Sequence, residues 1–290
     1  IQFETQTDTP AFRRRFNKYR YPSSGYTYLG YNLRKALFQD KRVRQAISYA
    51  IDENELIDGV LLGLGQVATG PYKPGSWAYN PEVKTYTYDP ERSRSLLAEA
   101  GWQDHDGDGI LDKEGKPFSF TIVTNQGNDQ RIKSGEIIQR RLREVGIEVR
   151  LRVIEWASFL KEFINPGNFD ATILGWTIPP DPDSYNVWHS SKTRPGELNF
   201  VQFRHPEVDE LLEKGRRTLS QEERKKLYDR FQEILAEEQP YTFLYVPDAL
   251  PVVAERFRGI EPAPAGIMHN FIEWYVPEGQ HCLLYTSDAA

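Results

Sequence analysis

The chain has 290 residues, of which 39% are hydrophobic and 27% are charged, a balance usual for a globular protein. Its formal net charge of −6 provides no broad basic surface of the kind that nucleic acids require. No apolar run approaches the length needed to cross a bilayer. These values exclude a nucleic-acid-binding protein and a helical membrane span as starting hypotheses.

The two ends of the chain raise separate expectations. It opens with IQFETQTDTP, without Met or a charged-then-apolar leader, which indicates an internal start and leaves the cellular compartment undecided. The single cysteine, Cys282, excludes an internal disulfide. It lies in CLLYTSDAA, whose back-translation resembles a transposase-type sequencing adapter. We expect residues 280–290 to be a sequencing artefact, with a native disordered tail as the alternative.

Residues 16–33, rich in Tyr, predict extended chain in the first part of the sequence. Helix starts are predicted by three aspartates that precede apolar stripes at helical spacing, Asp40, Asp52 and Asp89. Glu55 has capping-box spacing from the second of these, and Pro90 occupies the first helical position after the third. Glycines are expected to end these last two helices, near Gly63 and at Gly101.

The rest of the chain alternates between the two kinds of element. Strands are predicted over 118–122, 147–153, 171–174 and 241–246. Helices are predicted over 137–145, around 156–163, and after a capping box formed by Ser220 and Glu223. Strand–helix–strand alternation predicts an α/β architecture.

The stretch WQDHDGDGILDKEGKPF, residues 102–118, has the spacing of a calcium loop. The candidate metal ligands are Asp104, Asp106, Asp108 and Asp112. Gly115 stands at the twelfth position, where such loops need a bidentate carboxylate. Asp-Gly pairs also form tight turns, followed here by a hairpin with its tip at 113–115. The sequence favours the plain turn and keeps calcium binding as the second hypothesis.

Several stretches together resemble the extracellular solute-binding proteins of family 5, the peptide-, nickel- and opine-type receptors of ABC importers. They are FQDKRVRQAISYAID (38–52), GPYKPGSWAYNP (70–81), YDPERSRSLLAEAGW (88–102) followed by DGDG, EIIQRRLREVGIEVRLRVIEW (136–156) and FDATILGW (169–176). The resemblance covers the chain to about residue 278. Family members are near twice this length, so the chain looks like a C-terminal half that lacks the signal peptide.

The resemblance implies an α/β fold of the two-lobed periplasmic-binding-protein clamshell type, here mainly the second lobe with remnants of the first. Residues 1–27 would be a remnant of lobe I with a crossover. Residues 28–245 would form the ligand-facing lobe II, and 246–279 would return to lobe I. The solute would be trapped as the lobes close about two crossover strands.

The resemblance also implies where the ligand lies. Gly175-Trp176-Thr177 would line the cleft, and its backbone would pair with an extended ligand as an added strand. Relatives commonly place an aspartate three residues after this Trp, where the chain has Pro179, and an Arg near Asn125, which is uncharged. The candidates for a ligand ammonium group are therefore Asp181 and Asp183, with turn formation as their alternative role. Further candidate ligand contacts are Tyr28, Asn32, Trp77, Asn125 and Trp156.

The function implied is binding rather than catalysis, without a cofactor. We expect the substrate-binding subunit of an ABC importer, monomeric at full length, that delivers an extended solute, preferably an oligopeptide, to an inner-membrane permease. It would lie in the periplasm or be lipid-anchored to the outer face of the cell membrane. The alternatives are an oligosaccharide or opine receptor, and a secreted hydrolase that uses Asp181 and Asp183. The histidines show no metal-binding spacing.

Overall fold

The structure is a computed structural model, and it describes residues 16–179, 181–263 and 266–278. The suspected adapter tail, 280–290, lies outside the described residues, as does most of the expected lobe I remnant at the start of the chain. Within the described ranges, no helix has both the length and the apolar character that a membrane crossing needs.

A mixed sheet runs through the middle of the protein. The strands are β1 (Phe16–Lys18), β2 (Tyr21–Pro22), β3 (Gly25–Tyr31), β4 (Gly65–Val67), β5 (Asp112–Lys113), β6 (Lys116–Pro117), β7 (Ser119–Asn125), β8 (Glu148–Ile154), β9 (Ala171–Thr177), β10 (Tyr241–Ala249) and β11 (Val252–Ala254). Across the main sheet the order is β4, β10, β3, β9, β7, β8, and β2 continues the line of β3 along β10. Strands β8, β7 and β9 are mutually parallel, whereas β3 and β10 are antiparallel to their neighbours.

Helices cover both faces of this sheet. They are α1 (Lys41–Tyr49), α2 (Glu53–Leu61), α3 (Pro90–Glu99), α4 (Asp129–Glu144), α5 (Trp156–Ser158), α6 (Tyr185–Trp188), α7 (Pro206–Arg217) and α8 (Gln221–Glu238). A π-helix, Phe159–Ile164, continues α5, and short 3-10 helices occur at Ala36–Phe38, Ser190–Lys192 and Ile267–Glu273. The predicted α/β class is confirmed.

The predicted helix caps are formed. The side chains of Asp40, Asp52, Asp89 and Ser220 each accept a hydrogen bond from a backbone N–H in the first turn of the following helix. In a capping box, the Glu55 side chain would accept a hydrogen bond from the backbone N–H of Asp52, but in the structure it has another partner. The Glu55 carboxylate accepts a hydrogen bond from Arg141 of α4 at 2.7 Å, so it ties α2 to α4.

The two faces of the sheet carry separate apolar cores. In β3, Leu29 and Tyr31 pack with residues of α1 to α4, whereas Tyr26 and Tyr28 pack with α6, α7, α8 and the π-helix. Both faces of the sheet are buried. Successive side chains of β3 therefore point alternately into one core and into the other, and not alternately into a core and into solvent.

At the border of the sheet and beyond it, two segments distant in sequence run together as a ribbon, β2 with the end of β10 and β1 with β11. Phe16 pairs with Ala254, Lys18 with Val252, and Pro22 with Asp248. The expected lobe boundaries, at 27/28 and 245/246, fall inside β3 and β10, and the register of their pairing shifts between Phe243 and Tyr245, next to both boundaries. The division into lobes stays a prediction. The ribbon is the part of the structure that corresponds to the two crossover strands expected between the lobes.

A buried arginine joins α1 to the carboxyl end of α8. Arg44 is only 4% exposed. Its Nε donates to the carbonyl oxygens of Glu238 and Gln239 at 2.9 and 3.1 Å, and its Nη1 donates to that of Phe38 at 2.5 Å. The last carbonyls of a helix lack partners within the helix and carry partial negative charge. The guanidinium therefore donates hydrogen bonds to the carbonyl groups at the end of α8, where the chain turns into β10.

We expect Arg44→Lys to lower the free energy of unfolding by about 2 to 4 kcal/mol, since an ammonium group cannot reach these carbonyls together and leaves some unpaired. Urea unfolding at pH 7 measures this. Arg42→Ala, on the same helix but with a side chain 45% exposed, is the control and should lose less than about 1 kcal/mol. Equal losses in the two variants would contradict the role given to Arg44.

A buried carboxyl group makes stability depend on pH. Burial, and to a smaller degree the charge of Asp52, raises the pKa of Glu53 to about 8 from an ordinary 4.5. The folded chain therefore keeps a proton that the unfolded chain releases, and the stabilisation, complete below pH 4.5, is lost as pH rises to about 8. Glu53→Gln should raise the melting temperature more at pH 8.5 than at pH 6. Asp58→Asn, which removes an exposed carboxylate from the same helix, controls for the lost charge; an equal change at both pH values would refute the assignment.

Candidate functional site

The parallel strands β7, β8 and β9 end at one edge of the sheet, where β3 begins and β10 ends. In α/β proteins, ligands bind in the crevice outside the carboxyl ends of such strands. A cavity of about 210 Å³ lies at this edge. Its lining consists of Ser23, Gly25, Tyr26, Thr27, Asn128, Gln130, Arg131, Gly175, Trp176, Thr177 and Pro247. The expected cleft segment, 175–177, is therefore part of the cavity wall.

The backbone of this segment is paired on one side only. Tyr26 is opposite Trp176, and the N–H of Ile178 donates to the carbonyl oxygen of Ser24 at 2.6 Å. By the alternation of an antiparallel ladder, the N–H and C=O groups of Gly175 and Thr177 point away from β3. Strand β7 pairs with β9 only as far as Thr172, so no strand in the described ranges pairs with these groups. They form a free strand edge beside the cavity.

Arg131 supplies the charge of the cavity, because it is the only charged residue among the described residues that line it. It lies in the first turn of α4, whose N-cap is Asn128. Its Nη1 donates to Oδ1 of Asn125 at 2.7 Å, and its Nε is buried without a hydrogen-bond partner among the described residues. No carboxylate in the described part of the chain forms an ion pair with it, and burial lowers its pKa.

The sequence predicts a ligand contact at Asn125, near a place where relatives have an arginine, and does not include Arg131 in the site. The structure brings the two together, because the side chain of Arg131 points back from the helix to the end of β7. Gly175 makes room for it: a Cβ there would come within 2.8 Å of the Tyr26 carbonyl oxygen and 3.1 Å of Nη2 of Arg131. The signal available in the sequence was a helix-start arginine close to a predicted strand end.

An aromatic stack supports Trp176 from the core side. Its ring is half-buried and nearly parallel to that of Tyr28, with centroids 6.4 Å apart, and its Nε1 donates to the Tyr241 hydroxyl at 3.4 Å. Tyr28 is fully buried and stacks on Tyr241 at 3.8 Å. The expectation of a ligand contact at Tyr28 is therefore corrected: its side chain holds the tryptophan and does not reach the cavity.

Asn32 also has a structural position. It is 1% exposed, and its Nδ2 donates to the carbonyl oxygens of Gly167 and Phe169 at 3.0 and 2.7 Å. It follows the end of β3, where Tyr31 pairs with Ala171 at the start of β9, and the cavity is at the opposite end of that strand. This placement corrects the expectation of a ligand contact at Asn32.

Asp181 and Asp183 are engaged by arginines of α7 and α8. Arg224 donates to both carboxylate oxygens of Asp181, at 3.0 and 2.7 Å. Arg216 donates to Oδ2 of Asp183 from Nε at 2.8 Å, and its Nη2 is 2.7 Å from the same oxygen. The hydrogen bond from Arg224 lowers the pKa of Asp181. Neither aspartate lines the cavity and both are paired with arginines, so a contact with a ligand ammonium group stays a prediction.

The other two aromatic candidates separate. Trp77 is half-buried, packs against Tyr228 of α8 with ring centroids 5.9 Å apart, and does not line the cavity. Trp156 is 47% exposed and rests on Phe159. It follows β8 at the same edge of the sheet as Asn125, which pairs with Ile154. Trp156 also lies outside the cavity lining, so a ligand contact at either tryptophan stays a prediction.

The aspartate loop forms a turn held by its own carboxylates. Asp104 accepts hydrogen bonds from the N–H groups of Gly107 and Gly109 at 2.8 and 3.0 Å, and Asp106 and Asp108 each accept one from the residue two positions later. These three carboxylates are exposed and have oxygens within 4.8 Å of one another. The fourth candidate, Asp112, instead binds His105. The predicted hairpin follows as β5 and β6, with positive φ at positions 114 and 115.

An α/β unit with a cavity and a free strand edge at the carboxyl ends of its parallel strands is typical of a ligand-binding module. Residues 2–197 match the family described as "Bacterial extracellular solute-binding proteins, family 5 Middle". The chain belongs to this family, which confirms the resemblance found in the sequence. The family consists of solute-binding proteins that act outside the cytoplasm.

Individual relatives agree. The chain is 39% identical over 255 residues to the oligopeptide-binding protein AppA of Bacillus subtilis, a match covering 87% of this chain and 47% of that protein. The solved structure of that protein with a nonapeptide aligns with a TM-score of 0.80 at 37% identity, covering 91% of this chain and 53% of the other. NikZ from Campylobacter jejuni with Ni(L-His) aligns with a TM-score of 0.81 at 29% identity, covering 94% and 56%. The chain thus spans about half the length of these relatives.

The geometry of the aspartate loop predicts weak or no calcium binding. At about 5 mM calcium, above the dissociation constants of weak extracellular calcium sites, we expect no change in melting temperature relative to chelator. The reason is that the Asp104 carboxylate already holds turn amides and the twelfth position has no carboxylate. Asp104→Asn is the control. A rise of several degrees in the native chain that is lost in this variant would establish a calcium site.

Proposed function

We propose that this chain is the ligand-facing part of the substrate-binding subunit of an ABC importer, and that its ligand is an extended oligopeptide. The observation that carries the proposal is the free strand edge at Gly175 and Thr177 beside the cavity. A peptide that adds as a strand forms main-chain hydrogen bonds at this edge whatever its side chains are. The names of relatives support this, since one is an oligopeptide-binding protein and its solved structure holds a nonapeptide.

Two further groups complete the binding surface. The Arg131 guanidinium, without a carboxylate partner among the described residues, offers N–H donors to a carbonyl or carboxylate of the ligand. Trp176 offers an aromatic face already fixed by Tyr28 and Tyr241, and so loses little freedom on binding. Exposed Trp156 extends the apolar surface along the same edge.

The same proposal assigns the parts of the chain to the two lobes. Residues 28–245 would be lobe II, and the flanking segments would continue through the β1–β11 ribbon into lobe I. Closure of the lobes would enclose the peptide, and a membrane permease would receive it. The protein would act by binding alone, without a cofactor or a catalytic step, in the periplasm or anchored to the outer face of the membrane. The hydrolase alternative loses support because Asp181 and Asp183 are both paired with arginines.

Titration calorimetry of the full-length protein that carries this chain tests the proposal, with peptides of graded length and with oligosaccharides. We expect heat from peptides and a roughly ten-fold loss when ligand amides are N-methylated, because methylation removes the donors that pair with the strand edge. Trp176→Ala should weaken binding about ten-fold or more. Trp102→Ala removes a tryptophan packed on the other face of the sheet and should leave affinity unchanged. Heat from oligosaccharides alone would reject the peptide and favour the sugar alternative.

A further inference from the structure

The segment 181–184, four residues beyond the cleft strand, is fastened to three other parts of the fold. Asp181 binds Arg224 of α8, and Asp183 binds Arg216 of α7. Between them, the carbonyl oxygen of Pro182 accepts a hydrogen bond from the Tyr72 hydroxyl at 2.8 Å. That tyrosine is 2% exposed and belongs to the 70–81 loop. The segment is therefore held at successive residues rather than at one.

Each aspartate also shapes the local backbone. Oδ1 of Asp181 accepts from the N–H of Asp183, and Oδ1 of Asp183 accepts from the N–H of Tyr185, both at 3.0 Å. Each carboxylate thus fixes its own turn and also anchors that turn to a helix. Removing the charge of either aspartate would weaken the turn and its anchor together.

The arginines are themselves fixed in place. The guanidinium of Arg216 lies 3.9 Å from the centre of the Tyr185 ring, and that of Arg224 lies 5.3 Å from the ring of Trp77. Arg224 also donates to the Tyr228 hydroxyl at 2.9 Å, and its side chain is 17% exposed. A planar guanidinium that stacks on an aromatic ring while it binds a carboxylate has few alternative arrangements.

We propose that Asp181, Asp183, Arg216 and Arg224 form a positioning clamp that fixes segment 181–184, close in sequence to the cleft wall, before ligand arrives. This rests on the proposed function, because it assigns the clamp a role in peptide affinity. Exposed ion pairs add little stability singly. A segment that is already ordered, however, does not have to be ordered on binding, so its clamp strengthens affinity without touching the ligand.

The clamp and a direct ligand contact predict different results in calorimetry. The proteins compared are the native protein, Asp181→Asn, Arg224→Lys and the double variant, each with one peptide in free-amine and N-acetylated forms. We expect each single variant to weaken both peptide forms by the same factor, about three- to ten-fold. The double variant should be no worse than either single one, because the two residues act as one unit. A loss of affinity confined to the free-amine peptide would overturn the proposal and would indicate that a carboxylate binds the ammonium group of the ligand.

Hydrogen exchange on the ligand-free protein gives a second readout that does not depend on peptide binding. The amides of Asp183 and Tyr185 should exchange faster in Asp181→Asn and Arg216→Lys than in the native protein. Glu207→Gln, which breaks another α7–α8 pair with Arg230, is the matched control and should change neither exchange nor affinity. Unchanged exchange in the clamp variants would overturn the clamp, whereas a native protein that binds no peptide but shows the exchange effect would overturn only the proposed function.

Discussion

The antiparallel pairing of β3 with β10 is the contact on which the rest of the structure depends. These two strands are neighbours within the sheet, with β4 beyond β10 and β9 beyond β3, and each supplies side chains to both apolar cores. Their pairing continues past the sheet into the ribbon formed with β2, β1 and β11. It also supplies Tyr28 and Tyr241, whose stacked rings support the tryptophan of the cleft wall. Core, ribbon and cleft thus share one pair of strands.

Some arginines of this fold bind groups of the chain itself, whereas one has N–H groups left for a ligand. Arg44 is enclosed by backbone carbonyls and completes the end of a helix. Arg216 and Arg224 are matched to aspartates and fix a segment of chain. Arg131 has neither carboxylate nor carbonyl around it among the described residues, only the amide oxygen of Asn125. The first three are each paired with carboxylates or backbone carbonyls inside the fold, whereas the fourth has only an amide oxygen as a described partner, so its remaining N–H groups mark a surface for a partner from outside.

The sequence predicted what is local in the fold and failed where partners are distant. Helix caps such as Asp40 and Asp52 act within three residues, so their roles could be read directly. The partners of Asp181 and Asp183 lie 43 and 33 residues away on separate helices, and no local pattern announces them. Tyr28 and Asn32 were misplaced because alternation cannot distinguish a buried face from a cleft when helices cover both sides. The family resemblance located the 175–177 segment, whereas the side-chain direction of Arg131 required coordinates.

The pairing of β10, late in the sequence, with the early strand β3 has a consequence for how the chain folds during synthesis. Tyr31 and its hydrogen-bond partner Thr242 are separated by 211 residues. At ribosomal rates of about 5 to 20 residues per second, β3 waits roughly 10 to 40 s for its neighbour. During that interval one edge of β3 is unpaired and the tyrosines meant for both cores lack part of their cover. Among the described residues, β10 is the last strand of the main sheet to be made, and it contributes to both cores. The nascent protein therefore cannot complete its cores gradually from one end and must complete them late and together.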